Sequence, residues 1–157
     1  MNDDTKARLS KARGRRLSPE DATRFRTTFP LLKLEPLLEL ESALPLAGVN
    51  FKLGKDLDAS GVGVDMDWMN SEAAIGEATG FTPSMQAASL GLMPVGECTL
   101  GSGNPYFVDT RDARLPLVRI PHTAVDAETD ALDEAQIERV TDSLDEFFER
   151  ASFRTSG

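Results

Sequence analysis

The sequence predicts an α+β fold in which a central, mostly antiparallel β-sheet is packed with helices. Two runs of apolar alternation, Val49-Phe51-Leu53 and Val62-Val64-Met66-Trp68, flank a turn-forming segment at residues 54–60, which is the pattern of a hairpin with one buried face. Short apolar runs separated by Gly- and Pro-rich turns recur beyond residue 92, as in a meander. Helix start and stop signals occupy the stretches between. The chain of 157 residues, 40% apolar and 27% charged, is long enough for one compact domain and too short for two large ones.

Taken in order, residues 1–17 form a basic arm, KARLSKARGRR at its centre. With Leu9 as the one large apolar residue of residues 6–16 and no aromatic ring there, the arm is expected to be solvated and poorly ordered, leaving a single domain over residues 18–153. Ser18-Pro19-Glu20-Asp21 combines an N-cap, a proline at the first helical position and acids in the first turn, so a helix should run to Thr28, before Pro30. A second helix starts at Pro36 and carries Leu37, Leu38, Leu40 and Leu44 up to Pro45. After the hairpin, Asn70-Ser71 caps a helix through Ala78 that Gly80 ends, and Thr82-Pro83 starts another that Gly91 ends. Strands follow at 94–100, 106–109 and 117–120, joined by GSGNP and TRDARLP. A long helix closes the chain. Asp133 and Gln136 stand at capping-box spacing, and Ile137, Val140, Leu144, Phe147, Phe148 and Ala151 share one helical face, with Glu138, Arg139, Asp142, Asp145 and Glu149 opposite.

The net charge of -9 is unevenly spread: residues 1–33 have a balance of +5 and residues 34–157 a balance of -14. So acidic a body repels phosphate backbones and attracts basic partners over a Debye length of roughly 8 Å. Nucleic acid is therefore disfavoured as a partner except through the basic arm. No run approaches the roughly 18 apolar residues of a membrane-spanning helix, and no apolar leader opens the chain; the cytoplasm is the expected compartment and a membrane is not expected as a partner. One cysteine and one histidine rule out a disulfide framework and argue against a Cys/His zinc site.

Three stretches suggest chemistry. DLDASGVGVDMD, residues 56–67, places Asp56, Asp58 and Ser60 at alternate positions, then Gly61, with Asp67 at the twelfth place, much as in a calcium loop of the EF-hand type. Against this, Gly63 holds the usual apolar position, Asp67 replaces a long bidentate Glu, and a strand stands where the exit helix should be. The structural reading is an Asp/Ser/Gly turn, with Asp65 and Asp67 on the sheet's exposed face. Cys98, His122 and an acid such as Asp109 or Asp126 could form a cysteine hydrolase, but Cys98 is in strand phase with Leu100 and follows no helix start, the setting of a buried structural cysteine. His122, after Pro121 at a strand end, suits a surface or capping role. LGSGNP, residues 100–105, lacks the third glycine, the Lys-Ser/Thr and the helix of a phosphate loop, and reads as a turn. No acid is singled out for glycoside chemistry, and no cofactor or metal is expected.

The order DWMNSEAAIGEA, LGLMPVGECTLGSGNPYFVD, LVRIPHTAVD and DSLDEFFERA resembles the SMI1/KNR4 (SUKH) superfamily over residues 64–153. The positions that match its pattern are Trp68, Pro94, Gly96, Gly101, Gly103, Asn104, Tyr106, Asp109, Ser143, Leu144, Phe147 and Phe148. LELESALP resembles the acidic helix and Leu-Pro step with which the family begins, whereas AGVNFKLGKD has neither the helix that follows nor its Asn-Gly-Gly turn. The resemblance implies a mixed sheet with surrounding helices and no enzymatic activity. For bacterial members it implies an immunity protein that binds and blocks a toxin, often a nuclease or deaminase; other members are regulatory or scaffold proteins. Contacts with a basic toxin are then expected from the acidic turn residues Asp56, Asp58, Asp109 and Asp112. Trp68 and Tyr106 are expected first as core or edge anchors, with interface hot spots as the other common use of such rings.

Overall fold

Alternation of inward and outward side chains organises the molecule, whose computed structural model describes residues 1–101 and 103–156. Among these residues, six helices surround one sheet: α1 (Asp3–Ser10), α2 (Pro19–Thr28), α3 (Glu35–Ala43), α4 (Ser71–Gly80), α5 (Ser84–Ser89) and α6 (Leu144–Arg150). The strands are β1 (Asn50–Leu53), β2 (Val64–Trp68), β3 (Leu92–Cys98), β4 (Tyr106–Asp109), β5 (Leu117–Arg119) and β6 (Glu138–Thr141). They lie side by side in sequence order, every neighbouring pair antiparallel. The fold is α+β, as the sequence predicts.

The sheet curls into a half-barrel. Its inner face carries Phe51, Val64, Met66, Trp68, Met93, Val95, Tyr106, Val108, Leu117 and Val140, packed against Leu9, Phe25, Leu37, Leu38, Phe147 and Phe148 from the helices. Phe51 is the hub of an aromatic cluster, its ring centroid 5.3–5.9 Å from those of Trp68, Phe147, Phe148 and Phe153. On the outer face of β3–β5, Leu92, Phe107, Val118 and Ile120 form a second, smaller core with Ala87 of α5 and Ala124. Gly96 sits at a bulge in β3 where no side chain fits, because an added Cβ would run into Met66.

Two expectations are corrected. The basic arm is part of the domain. Asn2 caps α1 through the Thr5 amide, Leu9 is fully buried, and Arg8 lies 4.9 Å over the Phe153 ring while donating to the Phe148 carbonyl at 3.1 Å. Pairings Ala12–Thr155 and Arg15–Ala47 hold the segment beyond α1. Its charge density misled the sequence reading: Leu9 enters the core and the Arg8 guanidinium packs on Phe153 and the Phe148 carbonyl.

The closing helix is also different. Only one 3₁₀ turn, Glu134–Gln136, forms where its start was expected, and Glu138–Thr141 is a strand paired with β5. The helix begins after Ser143, whose hydroxyl accepts the Glu146 amide at 3.0 Å while the Glu146 carboxylate accepts the Asp142 amide. This Ser-x-x-Glu capping motif is the stronger start signal, and β-branched Ile137, Val140 and Thr141 favour the strand before it. Smaller differences concern edges: Val62 and Leu100 lie outside β2 and β3 and are exposed.

If α1 belongs to the core, Leu9→Ala should destabilise the protein by about 2–5 kcal/mol, read from the midpoint of chemical denaturation. A solvated arm would leave that midpoint unchanged.

Candidate functional site

β5 buries an arginine. Arg119 shares the inward phase of Leu117 and faces Tyr106 directly across the strand pair, with its guanidinium 4.9 Å from the Tyr106 ring centre. One terminal nitrogen donates to Ser60 Oγ at 2.8 Å and Glu138 Oε2 at 3.1 Å. The other donates to Asp58 Oδ2 at 3.1 Å, the Gly63 carbonyl at 2.8 Å and Tyr106 Oη at 3.2 Å. Asp58 also accepts from the Ser60 amide and hydroxyl and from the Gly63 amide. Burial raises the pKa of the Tyr106 hydroxyl, and Arg119 partly offsets this. The 54–63 connection is thereby fastened across the half-barrel, where Ala59 N–H also donates to the Val140 carbonyl of β6 at 2.9 Å.

This arrangement disperses the calcium-like set of 56–67. Asp58 already holds a cation, the guanidinium of Arg119. Asp56 is exposed, while Asp65 and Asp67 project from β2 toward Asn50, which donates to both at 2.9 Å. The Asp65 pKa is lowered chiefly by its hydrogen bonds from Thr99 and Asn50. No group of three or more His, Cys, Asp or Glu residues able to hold a metal occurs among the described residues.

The expected contact residues do not form one surface. Asp58, Trp68 and Tyr106 are buried, so Asp58 does not offer the surface contact expected of it, while the two rings are core anchors, the use expected of them first. Asp109 and Asp112 each bind the arginine two residues on, Arg111 and Arg114, so the turn they occupy neutralises itself. Asp56 alone of the six is exposed without an ion pair among the described residues. The positions that match the family pattern are architectural. Trp68, Phe147 and Phe148 are core, Pro94 and Gly96 flank the β3 bulge, and Gly101 and Gly103 have φ of 82° and 70° in the GSGNP turn, of which Ser102 lies outside the described residues.

Cys98 and His122 line one cavity of about 160 Å³ with Glu77, Phe81 and Glu97. The His122 Nε2 is 2.7 Å from the Gly103 carbonyl, which can only accept, so that nitrogen donates. The acids proposed for them stand elsewhere: Asp109 binds Arg111, and Asp126 accepts the amides of Glu128 and Thr129 in its own turn.

The sequence reading missed Glu41. It replaces an apolar residue on the Leu37-Leu38-Leu44 face of α3, and that interruption is the signal that would have found it. It is 8% exposed and lines a cavity of about 250 Å³ with Arg15, Arg16, Asp21, Arg24 and Ser71. One carboxylate oxygen accepts the Trp68 indole N–H at 3.3 Å. Burial pushes its pKa from 4.5 up to about 7, the indole bond opposing. A larger groove, about 710 Å³, lies over β1 and β2 between Arg13, Lys52, Phe153 and Arg154.

Two stability tests follow from these geometries. Arg119→Met should cost about 3–5 kcal/mol, because it leaves Asp58 buried without its cation, and denaturant titration measures the loss. For Glu41 the folded pKa is the higher one, so the folded state favours the protonated acid. The cost of ionising it is absent below the ordinary carboxylate range, grows as pH rises toward about 7, and is complete above that. Glu41→Gln should therefore gain stability relative to wild type between acid and mildly alkaline pH, by up to about 3 kcal/mol. Parallel denaturation curves across that range check the sign.

Comparison with protein-family models, curated proteins and solved structures finds no match for this chain.

Proposed function

We propose that this chain is a non-enzymatic protein-binding domain of the SMI1/KNR4 type, an immunity protein that docks on a basic toxin and covers its active site. The observation that carries this reading is the β5–β6 connection. From Ile120 to Glu138 there is no Lys or Arg, while Asp126, Glu128, Asp130, Asp133 and Glu134 are all exposed. Only Glu134 of these five has an ion pair, with Arg111.

The connection is also held in one shape. Val125 pairs with Leu132, the Asp126 amide donates to the Ala131 carbonyl, and the Asp133 amide donates to the Ala124 carbonyl at 2.7 Å. The Asp126 and Asp133 carboxylates accept amides of their own turns, so their charge is fixed in position. Fixed negative charge speeds encounter with a basic surface and lowers the ordering cost of docking. This loop takes the place of the contact residues expected from the sequence.

Affinity capture from the native host, followed by co-expression with the recovered toxin, tests the reading. Protection of the host cell is expected. The combined change Asp126→Lys, Glu128→Lys and Asp130→Lys should slow association at least about ten-fold at low salt, with a smaller effect at high salt. Failure to recover any toxin-like partner, together with no protection against neighbouring toxins, would refute it.

A further inference from the structure

The cavity beside Glu41 has the makings of a ligand site. It is walled by the extended segment Arg15–Leu17, by α2, by α3 and by the amino end of α4. Glu41 lies at its buried side, and its second carboxylate oxygen has no hydrogen-bond partner. That oxygen is not sealed from solvent, because the one solvent-excluded side-chain polar atom without a partner among the described residues is Gln86 Oε1. It therefore opens on the cavity. Burial raises the Glu41 pKa, and the Trp68 hydrogen bond opposes the rise.

The rest of the wall carries both signs, with Arg15, Arg16 and Arg24 beside Asp21 and Glu72. Arg15 is fixed by main-chain pairing with Ala47, and its guanidinium has no partner among the described residues. Arg16 spends its Nε on the Ala43 carbonyl and keeps its terminal nitrogens, and Arg24 gives one nitrogen to Asp21. Asn70 caps the ten-residue α4 through the Ala73 amide, and the Asp21 carboxylate meets the same end of the helix through the Ser71 side chain.

We propose that this cavity binds a small zwitterion of the α-amino acid class, with its ammonium group on Glu41 and its carboxylate on Arg15. A purely cationic ligand would be repelled by the three arginines, and a purely anionic one by Asp21, Glu41 and Glu72. A ligand carrying both charges answers both walls. The volume of about 250 Å³ falls below that of drug-sized sites, roughly 300–1,000 Å³, and so suits a molecule of a few heavy atoms. The ammonium would supply the counter-charge that a buried carboxylate otherwise lacks.

Trp68 is the only tryptophan and bonds directly to Glu41, so its fluorescence reports on the site. The full chain is titrated at neutral pH with each free amino acid, with acetate and methylammonium as single-charge probes. At least one amino acid should give a saturable fluorescence change and raise the melting temperature, while neither single-charge probe does so at the same concentration. Glu41→Gln retains an acceptor for Trp68 but loses the charge, and Arg15→Ala removes an exposed side chain without partners; each should weaken binding at least about ten-fold. The Arg15 variant keeps the test decisive should the Glu41 variant fold poorly. The proposal is overturned if no amino acid gives a saturable change, if acetate or methylammonium alone reproduces it, or if the Arg15 variant binds as wild type does.

Discussion

The ion pair between Arg119 and Asp58 is the constraint on which the architecture turns. A six-strand meander leaves β1 and β6 as two distant edges, and an open curled sheet exposes the interior along the gap between them. The connection from β1 to β2 spans that gap, but a loop rich in Gly, Ser and Asp has little apolar surface with which to hold itself there. Arg119 supplies the hold. It gathers Asp58, Ser60, Gly63 and Tyr106 around one buried guanidinium, and Asp58 turns its remaining acceptor capacity on the loop's own amides. Desolvation of both charges offsets most of the attraction in such a pair, so its net contribution is small, whereas removing one partner strands a buried charge.

The two ends of the described chain form the other seam. Ser152 pairs with Lys52 along the free edge of β1, Thr155 pairs with Ala12, and the Met1 ammonium meets Asp145 at 2.8 Å. The aromatic cluster around Phe51 is closed by Phe153 from this tail and by the guanidinium of Arg8 over its ring. An acidic body thus carries its basic segment as a covering over its own aromatic core, and this same segment supplies Arg15 and Arg16 to the cavity of Glu41.

Local signals were legible in the sequence. The caps of α2 and α4 are where Ser18 and Asn70 place them, and the β1–β2 hairpin follows its alternation, because each of these is decided by residues only a few positions apart. The spacing of Val140 and Leu144 was ambiguous, since a strand, a tight turn and a helix bury both residues as well as one long helix does. Ser143 with Glu146 carried the distinction. Long-range partners were not legible. Asp58 reads as part of an Asp/Ser/Gly turn, and nothing near it in sequence points to the cation that it binds, which stands 61 residues away in β5. Glu41 was hidden for a similar reason: its partner Trp68 is 27 residues on, and among leucines it reads as one more turn of an amphipathic helix.

The meander also divides the molecule by timescale. Each strand hydrogen-bonds to the next in sequence, so the sheet can grow by a succession of short closures, each with a small entropic cost. The contacts of Met1 with Asp145 and of Ala12 with Thr155 join nearly opposite ends of the chain and require the widest closure of all. Folding can complete most of the sheet before the terminal seam shuts, and the same seam is the first part free to reopen in the native state. Hydrogen exchange separates the two, because amides of β3 and β4 lie at the centre of the sheet whereas those of the seam lie at its margin.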